Sequence, residues 1–210
     1  LWASSTGPIA SKLAPTRDLL SDIDCIHTAN HCGSELARDS GSPVTTQIGS
    51  ETMPTLTTYQ TTITPDWVDY NGHLRDAFYL LIFSYATDAL MDRLGLDSNS
   101  REASGNSLFT LELHLNYLHE VKLDAQVEVH TQIIAHDSKR VHLYHSLHLV
   151  GDDRELAGNE QMLLHVDLAG PRSAPFSELS LARLQAIVVE QADLPTPEYI
   201  GRVIALPTRK

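Results

Sequence analysis

Residues 74–94, LRDAFYLLIFSYATDALMDRL, decide how the rest of the chain is read. Phe78, Leu81, Ile82, Tyr85, Ala86, Ala89 and Leu90 spread apolar surface almost all round a helix of this register. A helix with so wide an apolar surface must be largely buried. Gly95 is a good stop for it, because glycine accepts the left-handed conformation that closes many helices.

Outward from this helix the pattern changes from period 3.6 to period 2. Upstream, residues 57–64 (TTYQTTIT) are β-branched and aromatic and predict a strand, followed by the turn-rich loop 65–72 (PDWVDYNG). Downstream, residues 107–118 alternate, with Phe109, Leu111, Leu113, Leu115 and Tyr117 on one face and Glu112, His114 and Asn116 on the other. Residues 125–135 and 140–150 alternate in turn, the second with Val141, Leu143, Leu147 and Leu149 opposite His142, Tyr144, Ser146 and His148. Residues 159–168 make a fifth strand, and residues 178–191 a closing helix on a Leu179/Leu184/Ile187 stripe. A single antiparallel sheet of about five strands needs one face covered, and 74–94 is the only element long and apolar enough to cover it. The expectation is an α+β hotdog fold: a sheet wrapped around one central helix, plus a C-terminal helix.

Residues 1–50 hold 13 Ser and Thr, 4 Gly and 3 Pro, with one short helix expected over 15–26. Residues 1–55 therefore read as a flexible N-terminal extension or linker, and 56–210 as the folded domain. Cys25, His27, His31 and Cys32 place four metal-capable side chains in eight residues, too crowded for the two separated pairs of a structural zinc site. Two cysteines in 210 residues argue against a disulfide scaffold and for a cytoplasmic protein. No apolar run approaches a membrane span, and a net charge of −12 opposes nucleic acid and anionic membrane as partners.

The loop before the central helix carries the candidate chemistry. In Asp69-Tyr70-Asn71-Gly72-His73 a carboxylate precedes a glycine by three residues at the expected helix start. Backbone N–H groups are unpaired at such a terminus and can hold a carbonyl oxygen as it becomes an oxyanion. Gly72 allows close approach, and Asp69 could activate water or attack the carbonyl itself. The plainer reading is that Asp69 caps the helix and Gly72 serves a turn. His73 reads equally as a general base and as a histidine bonding across the loop. His114, His142, His145, His148 and His165 read as partly exposed strand residues, with no metal expected.

Asp-x-x-Gly-His, then a long apolar helix and alternating strands, resembles the 4-hydroxybenzoyl-CoA thioesterase-like hotdog family, over about residues 57–167. Residues 160–167 (EQMLLHVD) and 197–207 (PEYIGRVIALP) resemble a narrower group, the betainyl-CoA thioesterases of carnitine breakdown, found in some bacteria behind an L-carnitine dehydrogenase. The resemblance implies hydrolysis of a small acyl-CoA without a cofactor. It puts Asp69 at the catalytic carboxylate and the Gly72 and His73 amides at the thioester carbonyl. It also implies a homodimer or homotetramer, with residues such as Glu112 or Asn116 coming from a second subunit. Arg75-Asp76 stands where many members have asparagines.

A betainyl group is a quaternary ammonium, a cation that aromatic faces bind. Trp67, Tyr70, Asn71, Tyr79 and Tyr117 are the candidate substrate-binding residues, with Trp67 and Tyr70 flanking Asp69 best placed for a cage. Lys139 and Arg140 could meet the CoA phosphates, though a solvated hairpin tip explains them better. Two other functions stay open on the residues: a hotdog enoyl-CoA hydratase and a non-catalytic acyl-CoA sensor. The hydratases pair Asp and His five residues apart in Asp-x-Asn-Pro-x-His, whereas here the separation is four and Gly72 replaces the proline.

Overall fold

The computed structural model of the chain describes residues 56–206 apart from Pro171. The expected helix over 15–26, the cluster of Cys25, His27, His31 and Cys32, and the extension 1–55 lie outside the described residues. The elements are β1 (Leu56–Thr62), α1 (Asp76–Arg93), α2 (Ser98–Ser104), β2 (Asn106–Tyr117), β3 (Gln126–His136), β4 (Arg140–Leu149), β5 (Ala157–Asp167), β6 (Arg172–Ser173) and α3 (Glu178–Glu190). The strands form one antiparallel sheet in the order β1-β3-β4-β5-β2, with two-residue β6 paired to β5. This is the hotdog arrangement, with β1 and β2 as the edges of the main path.

Packing, not capping, holds α1. Its N-cap is Arg75, which makes no side-chain cap, and a good cap is worth about 1 kcal/mol. Ile82, Phe83 and Leu90 are fully buried, at roughly 1.5–3 kcal/mol each. The burial is less complete than the all-round apolar pattern predicts, because Leu80 and Tyr85 remain over a third exposed in the single chain. Gly95 ends the helix as expected, with φ +78°.

Two apolar clusters lie along α1. One gathers Tyr79, Ile82, Phe83 and Ala86 against Val127, Val129, Leu147 and Ala157. The other gathers Leu90, Met91 and Leu94 against Ile133, Val141, Leu143 and Leu163, and is closed by Leu184 and Ile187 of α3. A polar band sits between helix and sheet. Thr87 Oγ1 bonds His145 Nε2 (3.0 Å) and Gln161 Oε1 (3.2 Å), and His145 Nδ1 bonds Thr131 Oγ1 (2.8 Å).

Three sequence expectations change. His145, His148 and His165 are buried, not partly exposed. His145 and His165 fall in phase with their strands' core-facing apolar residues, so alternation puts them inside. In β2 an extra residue interrupts the ladder between Thr110 and Glu112, so Leu108 and Leu115 face the core while Phe109 is 45% exposed. Helix α2 was not expected, because SNSREAS carries no apolar period. It is closed at both ends instead, by Asp97 accepting from the Asn99 and Ser100 amides and by Gly105 at φ +67°.

Candidate active site

The Asp69–His73 segment is a closed turn, not the first turn of the helix. Val68 and Leu74 face each other in an antiparallel bridge. Between them the Asp69 N–H donates to His73 O (2.9 Å) and the Gly72 N–H to Asp69 O (3.0 Å). Asp69 Oδ1 accepts from the Asn71 N–H (2.8 Å) and the His73 N–H (3.0 Å). An acidic residue opening a turn and a glycine in the left-handed region closing it are the requirements of a three-residue hairpin loop. Gly72 meets the second at φ +75°.

This corrects the expected oxyanion site. Helix α1 starts at Asp76, three residues beyond His73, and the Gly72 and His73 amides are spent inside the turn. The first N–H groups of α1 itself lie just beyond the turn, and two of the first three are engaged. The Phe78 N–H donates to Arg75 O (3.0 Å) and the Ala77 N–H to Asp76 Oδ1 (2.8 Å). The Asp76 N–H has no acceptor among the described residues. It sits at the positive end of the helix dipole. Arg75, at the family's asparagine position, ties this terminus to the loop through its N–H to Trp67 O (3.0 Å) and its Nε to Val68 O (2.9 Å).

The Asp69 carboxyl is held below its usual pKa, chiefly by the His73 amide and then by that of Asn71. Donors aimed at the charged form favour it, so the group is an ionised carboxylate at neutral pH. Only Oδ1 is engaged, which leaves Oδ2 without a protein partner among the described residues. His73 bonds across the loop, with Nε2 3.3 Å from Glu120 Oε2, and bridges Lys122 through its backbone. That geometry favours the positioning role over the general base.

The aromatic candidates divide into two places. Trp67 stacks on Phe78 at 5.7 Å and packs against the first core cluster, and Tyr70 is 96% exposed at the turn tip. They do not form a cage within one chain. Asn71 is exposed beside Tyr70. Tyr79 and Tyr117 do meet, edge to face at 5.2 Å, and Tyr117 donates its hydroxyl to Asp76 O (3.3 Å). Sequence alone did not join Tyr117 to the helix start, since 41 residues separate them. Arg140 is engaged by Asp137 through Nε (2.8 Å) and Nη2 (2.6 Å), which supports the hairpin-tip reading. Among the described residues no three His, Cys, Asp or Glu side chains converge as metal ligands, and no helix is long and apolar enough to cross a membrane.

The fold agrees with what the chain is similar to. It is 64% identical over 152 residues to the betainyl-CoA thioesterase of Pseudomonas aeruginosa PAO1, covering 72% of this chain and 96% of that protein. It is 38% identical over 135 residues, 64% of this chain, to an L-carnitine dehydrogenase/betainyl-CoA thioesterase of Agrobacterium fabrum C58, and the match spans 27% of that longer protein. A Staphylococcus aureus protein solved in complex with CoA is 31% identical and superposes with a TM-score of 0.69, covering 75% of this chain and 100% of that one. The thioesterase-like superfamily model matches residues 63–184, from the loop that carries Asp69 to the middle of α3. The chain belongs to the thioesterase-like superfamily.

Proposed function

We propose that this thioester hydrolase acts on betainyl-CoA, releasing betaine and CoA, with Asp69 as its catalytic carboxylate. The observation that carries the substrate is the 64% identity to the Pseudomonas aeruginosa betainyl-CoA thioesterase across 96% of that protein. The Asp69 Oδ2 oxygen attacks the thioester carbon while the Asp76 N–H donates to the developing oxyanion. Collapse breaks the C–S bond and releases the CoA thiolate, which takes a proton from water. Water then hydrolyses the acyl-aspartyl anhydride and restores Asp69. The ionised state of Asp69 and its open Oδ2 suit direct attack, with activation of a water by the same oxygen as the second route. Tyr117, exposed beside the helix start and braced edge to face by the buried Tyr79, offers aromatic surface to the trimethylammonium group.

The same reading carries the other expectations: a cytoplasmic enzyme of carnitine breakdown, in at least a dimer, with residues 1–55 outside the catalytic domain. The test is release of CoA, followed with a thiol reagent, from betainyl-CoA and from its uncharged isostere 3,3-dimethylbutyryl-CoA. A desolvated cation–π contact is worth about 2 kcal/mol, so kcat/KM should favour betainyl-CoA by on the order of tenfold or more. Equal values would retain the hydrolase and discard betainyl-CoA as its substrate.

A further inference from the structure

After α3 the C-terminal segment turns back over the outer face of the sheet. Pro195 O accepts from Gln132 Nε2 of β3 (3.2 Å), the Gly201 N–H donates to Glu160 Oε2 of β5 (2.7 Å), and Arg202 O meets His114 Nδ1 of β2 (2.8 Å). Between the first two fastenings the segment roofs a cavity of about 420 Å³, with Tyr144, Ser146 and His148 of β4 as its floor. These three alternate with Leu143, His145 and Leu147, which face α1, so the cavity and α1 lie on opposite faces of the sheet. Its size falls within the roughly 300–1,000 Å³ of small-molecule sites.

The charge in this cavity is one-sided. Asp153, Glu155 and Glu198 line it, and no Lys or Arg does among the described residues. The Tyr144 hydroxyl donates to Glu155 Oε1, and Oε2 has no partner among the described residues. Burial pushes the Glu155 carboxyl up, and the charge of Glu198 adds to this. Gly158, inside β5, makes room for the pair, because a side chain there would collide with Tyr144 Oη and Glu155 Oε1. A second, neutral feature lies in the same wall. His148 is 7% exposed and stacks on His130 at 4.6 Å. Its Nε2 is bonded to Ser146 Oγ (2.8 Å), while its buried Nδ1 has no hydrogen-bond partner among the described residues. Buried polar groups are seldom left unpaired. Leu194, Pro195 and Pro197 supply apolar wall. Carboxylates, an aromatic ring and apolar walls together suit an alkylated cation better than a hydrated metal ion.

We propose that this cavity binds a small alkylammonium ion that carries a hydroxyl. The cation lies beside Tyr144 among the carboxylates of Glu155 and Glu198, and the hydroxyl is the partner of His148 Nδ1. The site does not depend on the substrate proposed for Asp69.

The test is isothermal titration of the full chain with choline, the hydroxyethyl trimethylammonium ion, and with its uncharged isostere 3,3-dimethylbutan-1-ol. Choline should bind saturably, and on the order of tenfold more tightly than the alcohol. Tetramethylammonium, which lacks the hydroxyl, should also bind more weakly than choline. Glu155→Gln keeps an acceptor for Tyr144, and Glu198→Gln changes only the roof. Each should raise the choline Kd by on the order of tenfold, because each removes a charge beside the cation. Tyr117→Ala, beside the start of α1, should leave that Kd unchanged. No saturable binding, equal binding of the alcohol, or a Kd unmoved in both glutamine variants would overturn the proposal. So would loss of binding in Tyr117→Ala alone, which places the cation at the thioester site. Tetramethylammonium binding as tightly as choline would overturn the contact to His148.

Discussion

The turn at Asp69 and the polar band at His145 are both clusters of hydrogen-bonded polar groups, yet they are built oppositely. Every hydrogen bond that Asp69 makes spans two to four residues, and its carboxylate has an oxygen left over. His145 is fully buried, both ring nitrogens are engaged, and its partners Thr87 and Thr131 lie 58 and 14 residues away. Both pKa values are lowered, for opposite reasons. Amide donors favour the charged form of Asp69, whereas burial removes the charged form of His145 and takes its pKa to about 3. The first arrangement keeps a charge with one oxygen open. The second joins the helix to the sheet.

Breaking the reactive side should give the largest effect. Asp69→Asn keeps an oxygen for the Asn71 and His73 amides, so the turn persists and the melting temperature holds. It removes the attacking carboxylate, and kcat should fall about 10²–10⁴-fold in the CoA-release assay. Wild-type kcat in a folded Asp69→Asn variant would sink the mechanism.

Breaking the other side should move stability and leave chemistry alone. His145→Leu keeps much of the volume but removes one partner each from Thr87, which retains Phe83 O and Gln161 Oε1, and from Thr131, which retains Thr58 Oγ1. A lost hydrogen bond is worth about 0.5–1.5 kcal/mol, so urea unfolding should show a loss of about 1–3 kcal/mol for the two, with kcat within about twofold.

Acid separates the two regions without mutation. Folded His145 stays neutral down to about pH 3, while the unfolded chain protonates it below its ordinary value near 6.5. The unfolded state therefore binds the extra proton, and stability is fully present above pH 6.5 and lost as pH falls towards 3. At pH 5 the loss is about 2 kcal/mol relative to pH 8. It should be absent from His145→Gln, and a matching slope in that variant would assign the effect elsewhere. Asp69, with its pKa lowered from 3.8, is ionised from pH 5 to 7, so its ionisation gives kcat no acid limb there.

The contrast also explains what the sequence discloses. Asp-x-x-Gly is a local code, because the bonds that make the turn span no more than four residues, so the turn was legible from five letters, whereas the catalytic reading of Asp69 came from the family resemblance. The start of α1 was not, because what stops the helix short of His73 is Leu74 donating to Val121 O (2.8 Å) and the Arg75 N–H reaching back to Trp67. The five long strands follow from alternation, but one inserted residue in β2 moves Phe109 off the face of Leu115, and period counting has no signal for it. The tail over the outer face rests on bonds spanning 41 to 88 residues, which only the folded sheet brings together. His145 is intermediate: its parity with Leu143 and Leu147 marks it as inward, but the partners that make a buried histidine tolerable come from two other elements, α1 and β3.

His73 gives the smallest expected effect and the finest division within the turn itself. Its amide holds Asp69, and its ring only reaches Glu120, whose side chain is 72% exposed. A contact so open to solvent is worth about 0–1 kcal/mol. His73→Gln keeps the amide and a side chain able to bond Glu120, so stability should change by less than about 1 kcal/mol and kcat by no more than a few-fold. A base would behave differently. If the ring took a proton in the reaction, His73→Gln would lose about 10²–10⁴-fold in kcat, and the wild-type pH profile would carry an acid limb that the variant lacks. A flat pH profile from 5 to 7 with near-normal kcat assigns His73 to holding the carboxylate through its backbone, and leaves Asp69 alone as the group that meets the thioester.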